Sequence, residues 1–111
     1  MIKTLSLLTS VFYFFSIFEI RADILEEVRK NYSEMASNEE LCKRAIANLT
    51  ETKDNSATHL GYLGGLQTIW ANHVFSPINK IKTFNNGKNN IEQAIKKEPS
   101  NVELRFIRLS V

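Results

Sequence analysis

The chain has 111 residues, of which 43% are hydrophobic and 23% are charged, with a formal net charge of +2. This length allows one small domain, and the ordinary globular composition excludes collagen, low-complexity disorder, a multi-span membrane protein and a large enzyme with its own cofactor domain. The single cysteine excludes an intramolecular disulfide framework and a cysteine-based zinc site.

The first 22 residues have the three parts of an export signal. A lysine lies near the start, an apolar run follows from Leu5 to Phe18, and the small residue Ala22 precedes Asp23. We therefore expect residues 1–22 to be a signal peptide cleaved between Ala22 and Asp23, and residues 23–111 to form a periplasmic or secreted α-helical domain. The alternative is an uncleaved membrane anchor, but the apolar run is shorter than the about 20 residues that cross a bilayer.

After the signal, apolar residues recur at spacings of three and four, and no alternating strand pattern is present. This periodicity predicts an all-α fold of about five helices arranged as antiparallel hairpins. A capping box of Ser37 and Glu40 is expected to start the second helix, which should end near Thr50. The first helix is expected to bury a stripe that comprises Ile24, Leu25, Val28, Tyr32 and Met35.

The third predicted helix, about residues 57–74, combines a continuous apolar stripe with glycines on its other side. Gly61, Gly64 and Gly65 each cost a helix about 1 kcal/mol relative to alanine, so we expect a compensating close approach of a neighbouring backbone. Their spacing fits neither the Walker loop nor the dinucleotide fingerprint, and no predicted strand precedes them. The pattern therefore indicates a central helix packed on both faces.

A fourth helix is predicted from Ser76 and Pro77, which are suited to the N-cap and first turn. The polar stretch around Gly87 leaves two interpretations, one helix with a weak middle or two helices joined by a turn, and we favour one helix. A second capping box, Ser100 with Glu103, is expected to start a fifth helix. The apolar stripe of the fourth helix comprises Ile78, Ile81, Phe84, Ile91, Ala94 and Ile95.

The junction between the last two helices resembles the junction between tetratricopeptide repeats. Ala94 lies on the inner face of the ending helix, Pro99 follows, and an Asn-x-Glu stretch over 101–103 opens the next helix. The resemblance covers about residues 76–111 and implies helical hairpins that bind a protein or peptide on a concave face. The third predicted helix and the residues after it also resemble a group of short exported bacterial proteins, and this second resemblance implies no activity.

In tetratricopeptide repeats, a helix in the position of the fifth predicted helix is the first half of a hairpin. We therefore expect the sequence to be a shortened version of a longer protein. The alternative is that the fifth helix packs back on the third and ends there.

Few side chains indicate chemistry. His59 and His73 are about 21 Å apart along one helix, so they cannot share a metal ion. Cys42 lies on the apolar side of the second helix and is expected to be a buried thiol. We expect no catalytic residue, metal or cofactor. The alternative is a small exported enzyme or accessory subunit that uses either histidine beside Trp70.

Charge is distributed unevenly, because the predicted domain is acidic before residue 59 and basic after it. Lys80, Lys82 and Lys88 on the fourth helix are the candidate partner-binding surface, for either an acidic protein or an anionic envelope surface. The near-neutral total gives no support for nucleic acid binding. We therefore predict a non-enzymatic interaction module with an unknown protein or peptide partner, no nucleic acid, and a membrane anchor only if the signal is uncleaved.

Overall fold

The structure is a computed structural model that describes residues 24–52 and 54–111. The predicted signal peptide and its cleavage site between Ala22 and Asp23 lie outside these residues. Within the described ranges the chain is helical and contains no strand, which confirms the all-α prediction. The elements are α1 (helical over the described residues 24–31), a 3-10 helix (Tyr32–Glu34), α2 (Glu39–Glu51), α3 (Ala57–Trp70), α4 (Pro77–Lys97) and α5 (Val102–Leu109).

Asparagines, rather than the predicted serines, cap α2 and α5. The Asn38 side chain accepts a hydrogen bond of 3.1 Å from a backbone N–H three residues on, and Asn101 accepts one of 3.1 Å from a backbone N–H two residues on. The capping boxes predicted at Ser37 and Ser100 are therefore wrong by one residue. Asparagine and serine are about equally good N-caps, so sequence preference alone does not choose between adjacent candidates.

The central position of α3 is confirmed, since this helix contacts α2, α4 and α5 and has its most extensive contacts with α4. Its N-cap is Ser56, whose hydroxyl accepts from the backbone N–H of His59. The helix ends at Trp70, earlier than predicted, because a turn over 71–73 follows before α4 begins. The most completely buried side chains around α3 are Met35, Cys42, Leu49, Leu66, Ile91, Leu104 and Ile107.

Backbone contact between α3 and α4 occurs at Gly64 and Gly87. A Cβ atom built on Gly64 would lie 2.5 Å from the Gly87 carbonyl oxygen, and one built on Gly87 would lie 2.5 Å from the Gly64 carbonyl oxygen and 2.8 Å from the Thr68 nitrogen. These distances are too short for any real side chain, so both positions need glycine. α4 is one uninterrupted helix, as predicted, and Gly87 is a buried contact point within it.

α1 is held against α3 and α5 by a polar cluster around Glu103. Arg29 donates two hydrogen bonds to this carboxylate, at 2.8 and 2.9 Å, and the Tyr62 hydroxyl donates a third at 2.7 Å. The bonds from Arg29 hold the pKa of Glu103 below its usual value, whereas burial and the neighbouring carboxylate raise the pKa of Tyr62 to about 12. The cluster therefore joins residues that are more than 70 positions apart.

No helix in the described part of the chain combines the length and the apolar character that crossing a membrane requires.

Candidate functional site

The first half of α4 carries an exposed row of apolar side chains. Ile78, Ile81 and Phe84 are 78%, 65% and 38% exposed, whereas Ile91 in the same predicted stripe is 1% exposed. A spacing of three residues places the three side chains on one side of the helix, in a row inclined by about 45° to its axis. Phe75, just before α4, is also exposed. We call Ile78, Ile81 and Phe84 the apolar row.

The three lysines predicted to bind a partner surround the apolar row. Lys80 and Lys82 are the sequence neighbours of Ile81, so they project about 100° to either side of it. Lys88 lies one turn beyond Phe84, and all three lysines are exposed. No acidic residue occurs between 77 and 91, so this part of α4 presents only positive charge of its own.

The apolar row is uncovered because the first half of α4 extends beyond the helices that pack on it, and residues 77–82 are exposed on every side. α4 has 21 residues, about 31 Å, whereas α5 has 8 residues, about 12 Å. α5 runs antiparallel to the second half of α4, where the Arg108 Nε lies 3.4 Å from the Glu92 Oε1. Val111 then lines a cleft of about 270 Å³ together with Phe84 and Ile91.

This surface runs along the first half of α4 and ends at the cleft beside Val111. The apolar row lies along its middle, Lys80 and Lys82 lie on either side of the row, and Lys88 lines the cleft. We call this surface the α4 groove. The sequence pattern predicts the lysines, but it places the apolar row in one stripe with the buried Ile91. The two halves of the stripe differ in whether neighbouring helices extend along them, which local periodicity does not contain.

His59, in the first turn of α3, and His73, in the turn after α3, each bind a backbone carbonyl group. The His59 Nε2 donates to the Leu49 carbonyl at 2.6 Å, and the His73 Nε2 donates to the Met35 carbonyl at 3.0 Å. A carbonyl oxygen can only accept, so Nε2 carries the hydrogen in each ring. His59 thereby satisfies a carbonyl in the last turn of α2, where the helix itself offers no donor. The two rings connect α3 to α2 and to the segment before α2.

Trp70 lines a cleft of about 340 Å³ between α2, α3 and α4, and no histidine lines this cleft. The Trp70 ring does approach His73, with a centroid separation of 5.6 Å. His59 borders a different cleft beside Asp54, whose carboxylate oxygen is 4.0 Å from the His59 Nδ1. Within the described ranges, no three His, Cys, Asp or Glu side chains are grouped closely enough to hold a metal ion.

Cys42 is a fully buried free thiol, as its position on the apolar side of α2 predicts. Its sulfur lies 3.7 Å from the Leu66 carbonyl oxygen, which ties α2 to α3. Burial raises the pKa of this thiol to about 11, so it stays protonated at neutral pH and is a poor nucleophile.

Comparison of the chain with protein-family models, with curated proteins and with solved structures found no match. The resemblance of residues 76–111 to tetratricopeptide repeats therefore stays a prediction. Any function assigned to the chain depends on the geometry of its own residues. Exposed apolar side chains lie on α4 and on α5, at Val102, Phe106 and Leu109, and those of α4 are the ones flanked by the three lysines.

Proposed function

We propose that this chain is an exported, non-enzymatic helical protein whose α4 groove binds a partner protein. The observation that carries the proposal is the exposed apolar row framed by Lys80, Lys82 and Lys88. An apolar centre with a charged rim is the usual composition of a protein contact surface. Grouped, exposed apolar side chains on a soluble domain also mark interaction sites, because the domain gains nothing from leaving them in water.

The packing of α4 supports a helical-repeat organisation. Its small residues Gly87 and Ala94 are buried on the side that faces α3, and α5 begins after Pro99 and packs on the second half of the helix. In tetratricopeptide-like arrays each hairpin buries its apolar surface against neighbouring helices. An incompletely covered α4 therefore fits a module that completes its packing with another helix.

The placement of both imidazoles favours binding over the enzymatic alternative. That alternative needs a histidine at the base of a pocket beside Trp70, but the cleft lined by Trp70 contains none. The Nε2 atoms of His59 and His73 are both engaged by backbone carbonyls. Each ring therefore has a structural role that accounts for its position.

Photo-crosslinking tests the proposed function. A photoreactive residue in place of Ile81, introduced into the full chain in the cells that produce it, should crosslink one dominant protein. Changing Lys80, Lys82 and Lys88 to Glu should abolish the crosslink. The matched control changes three exposed lysines elsewhere, Lys30, Lys43 and Lys96, to Glu, and it should retain the crosslink despite the same change in net charge. Retention of the crosslink in the first variant would contradict the proposal.

Export is tested at the N-terminus. The mature protein, recovered from the cell envelope or the medium, should begin at Asp23 when its mass is measured. This outcome follows from the basic start, apolar run and small residue that precede Asp23. An intact N-terminus on a membrane-bound product would instead favour the tethered alternative.

A further inference from the structure

We propose that the occupant of the α4 groove is an amphipathic helix of another protein, apolar on one face and acidic along both edges, which lies along α4 in line with α5. This inference rests on the proposed function and specifies the kind of partner. It follows from the position of α5 on α4, the charge around the apolar row, and the distribution of exposed apolar side chains in the described chain.

A helix fits this surface because α5 already packs along the second half of α4. Ile91 in that half is 1% exposed, and the uncovered surface continues from Lys88 back to Pro77. That distance is about 16 Å, or three helical turns. Helices pack by placing side chains at spacings of three and four between those of a neighbour, which is the spacing of Ile78, Ile81 and Phe84.

An extended peptide fits less well. The described residues form no strand, so an extended chain would find no sheet edge for its backbone hydrogen bonds. A helix satisfies its own backbone groups and presents only side chains to the apolar row. The expected partner therefore carries apolar anchors at positions i, i+3 or i+4, and i+7.

The charge of the groove specifies acidic edges on that helix. Lys80 and Lys82 lie on opposite sides of the apolar row, Lys88 lines the cleft at its end, and no acidic residue of α4 between 77 and 91 offsets them. Arg108, the nearest cation of α5, lies 3.4 Å from Glu92. Rim charges of this kind contribute little affinity each, but they select the partner and speed its association.

A second copy of this chain does not fit the groove. A symmetric dimer through α4 would place the lysines of one copy against those of the other, which is unfavourable. The exposed large apolar side chains of the described residues all lie within 75–111, so α1 and α2 offer no free apolar face. On α5 the exposed apolar side chains are Val102, Phe106 and Leu109, and Arg105 beside Phe106 would bring a further positive charge to the lysines of the other copy. A flat membrane surface also fits poorly, because Phe84 and Val111 line a cleft that only a side chain protruding from the partner can reach.

Binding of designed peptides to the purified full chain tests the inference. The probe is a fluorescent amphipathic peptide of about five helical turns with leucines on one face and glutamates along both edges. One control peptide has lysines in place of the glutamates, and another has the same composition in shuffled order. A further probe is vesicles of mixed anionic and zwitterionic phospholipid. Fluorescence anisotropy and sedimentation measure binding to each.

We expect the acidic peptide to bind at least about tenfold more tightly than either control peptide, and we expect its affinity to fall as salt is added. Changing Lys80, Lys82 and Lys88 to Glu should reverse the preference towards the basic peptide, whereas the Lys30, Lys43 and Lys96 control should not. Ile81→Ser, at an exposed position that tolerates polarity, should lower affinity for the acidic peptide by about tenfold without changing the helical circular dichroism.

Three outcomes would overturn the inference: no preference for the acidic peptide, binding to vesicles but not to peptides, or self-association that Ile81→Ser abolishes. If the peptides fail while the crosslink at Ile81 persists and depends on the lysines, the helical occupant is wrong and the proposed function stands. If the crosslink fails as well, both are wrong.

Discussion

Replacement of Gly87 by alanine is expected to destabilise this protein, although the same change stabilises an open helix by about 1 kcal/mol. The new Cβ would lie 2.5 Å from the Gly64 carbonyl oxygen and 2.8 Å from the Thr68 nitrogen. Both are backbone atoms of α3, which cannot rotate away as a side chain can. The contact is therefore relieved only if the two helices move apart.

The size of the effect follows from that movement. Ordinary contact begins near 3.4 Å, so α3 and α4 must separate locally by about 0.9 Å. The separation loosens Leu66 and Ile91, which are 0% and 1% exposed. Such overpacking costs about 1–3 kcal/mol, and the gain in helix propensity offsets part of it. We expect a net loss of about 1–2 kcal/mol in the free energy of unfolding, or about 5–15 °C in Tm.

Urea unfolding followed by circular dichroism measures this loss. Gly64→Ala should cost about as much as Gly87→Ala, since its Cβ would meet the Gly87 carbonyl oxygen at 2.5 Å. Gly65→Ala should cost less, because its nearest contact is the hydroxyl at the end of the Tyr32 side chain. Asn85→Ala, at an exposed position of α4, is the propensity control and should be neutral or slightly stabilising. Gly64 and Gly87 variants as stable as the parent would refute the backbone-contact reasoning.

The remaining predictions concern the polar contacts of α3. Glu103→Gln should cost about 1 kcal/mol at neutral pH, because the half-exposed bonds from Arg29 are weakened. The parent protein should lose this contribution to its free energy of unfolding as pH falls below the ordinary carboxyl pKa, because the folded pKa of Glu103 is lowered. The Gln variant should lack this part of the fall in stability at acid pH. Tyr62→Phe should reduce the fall in the free energy of unfolding between about pH 10 and 12, since the folded pKa of about 12 lies above that of an unfolded tyrosine. His59→Phe should cost about 1–3 kcal/mol by leaving a buried carbonyl unpaired, and His73→Phe should cost less because its bond is only partly buried. Equal losses for the two histidine variants, or unchanged pH profiles in the other two, would contradict these assignments.

The sequence predicts the helices well because their signals are local. The spacing of apolar residues indicates each helix, Pro77 and Pro99 mark where chain segments change direction, and the glycines of α3 indicate a close backbone approach. The adjacent cap candidates Ser37 and Asn38 differ too little in preference for a sequence pattern to separate them.

Features that depend on the register between helices are not predictable in this way. The bond from His59 to the carbonyl at the end of α2 joins residues whose positions carry no shared motif. The exposure of the apolar row depends on how far the neighbouring helices extend along α4, although every residue of the row fits the helical stripe. Periodicity identifies the side of a helix that can be buried, and the neighbouring helix determines how much of that side is buried.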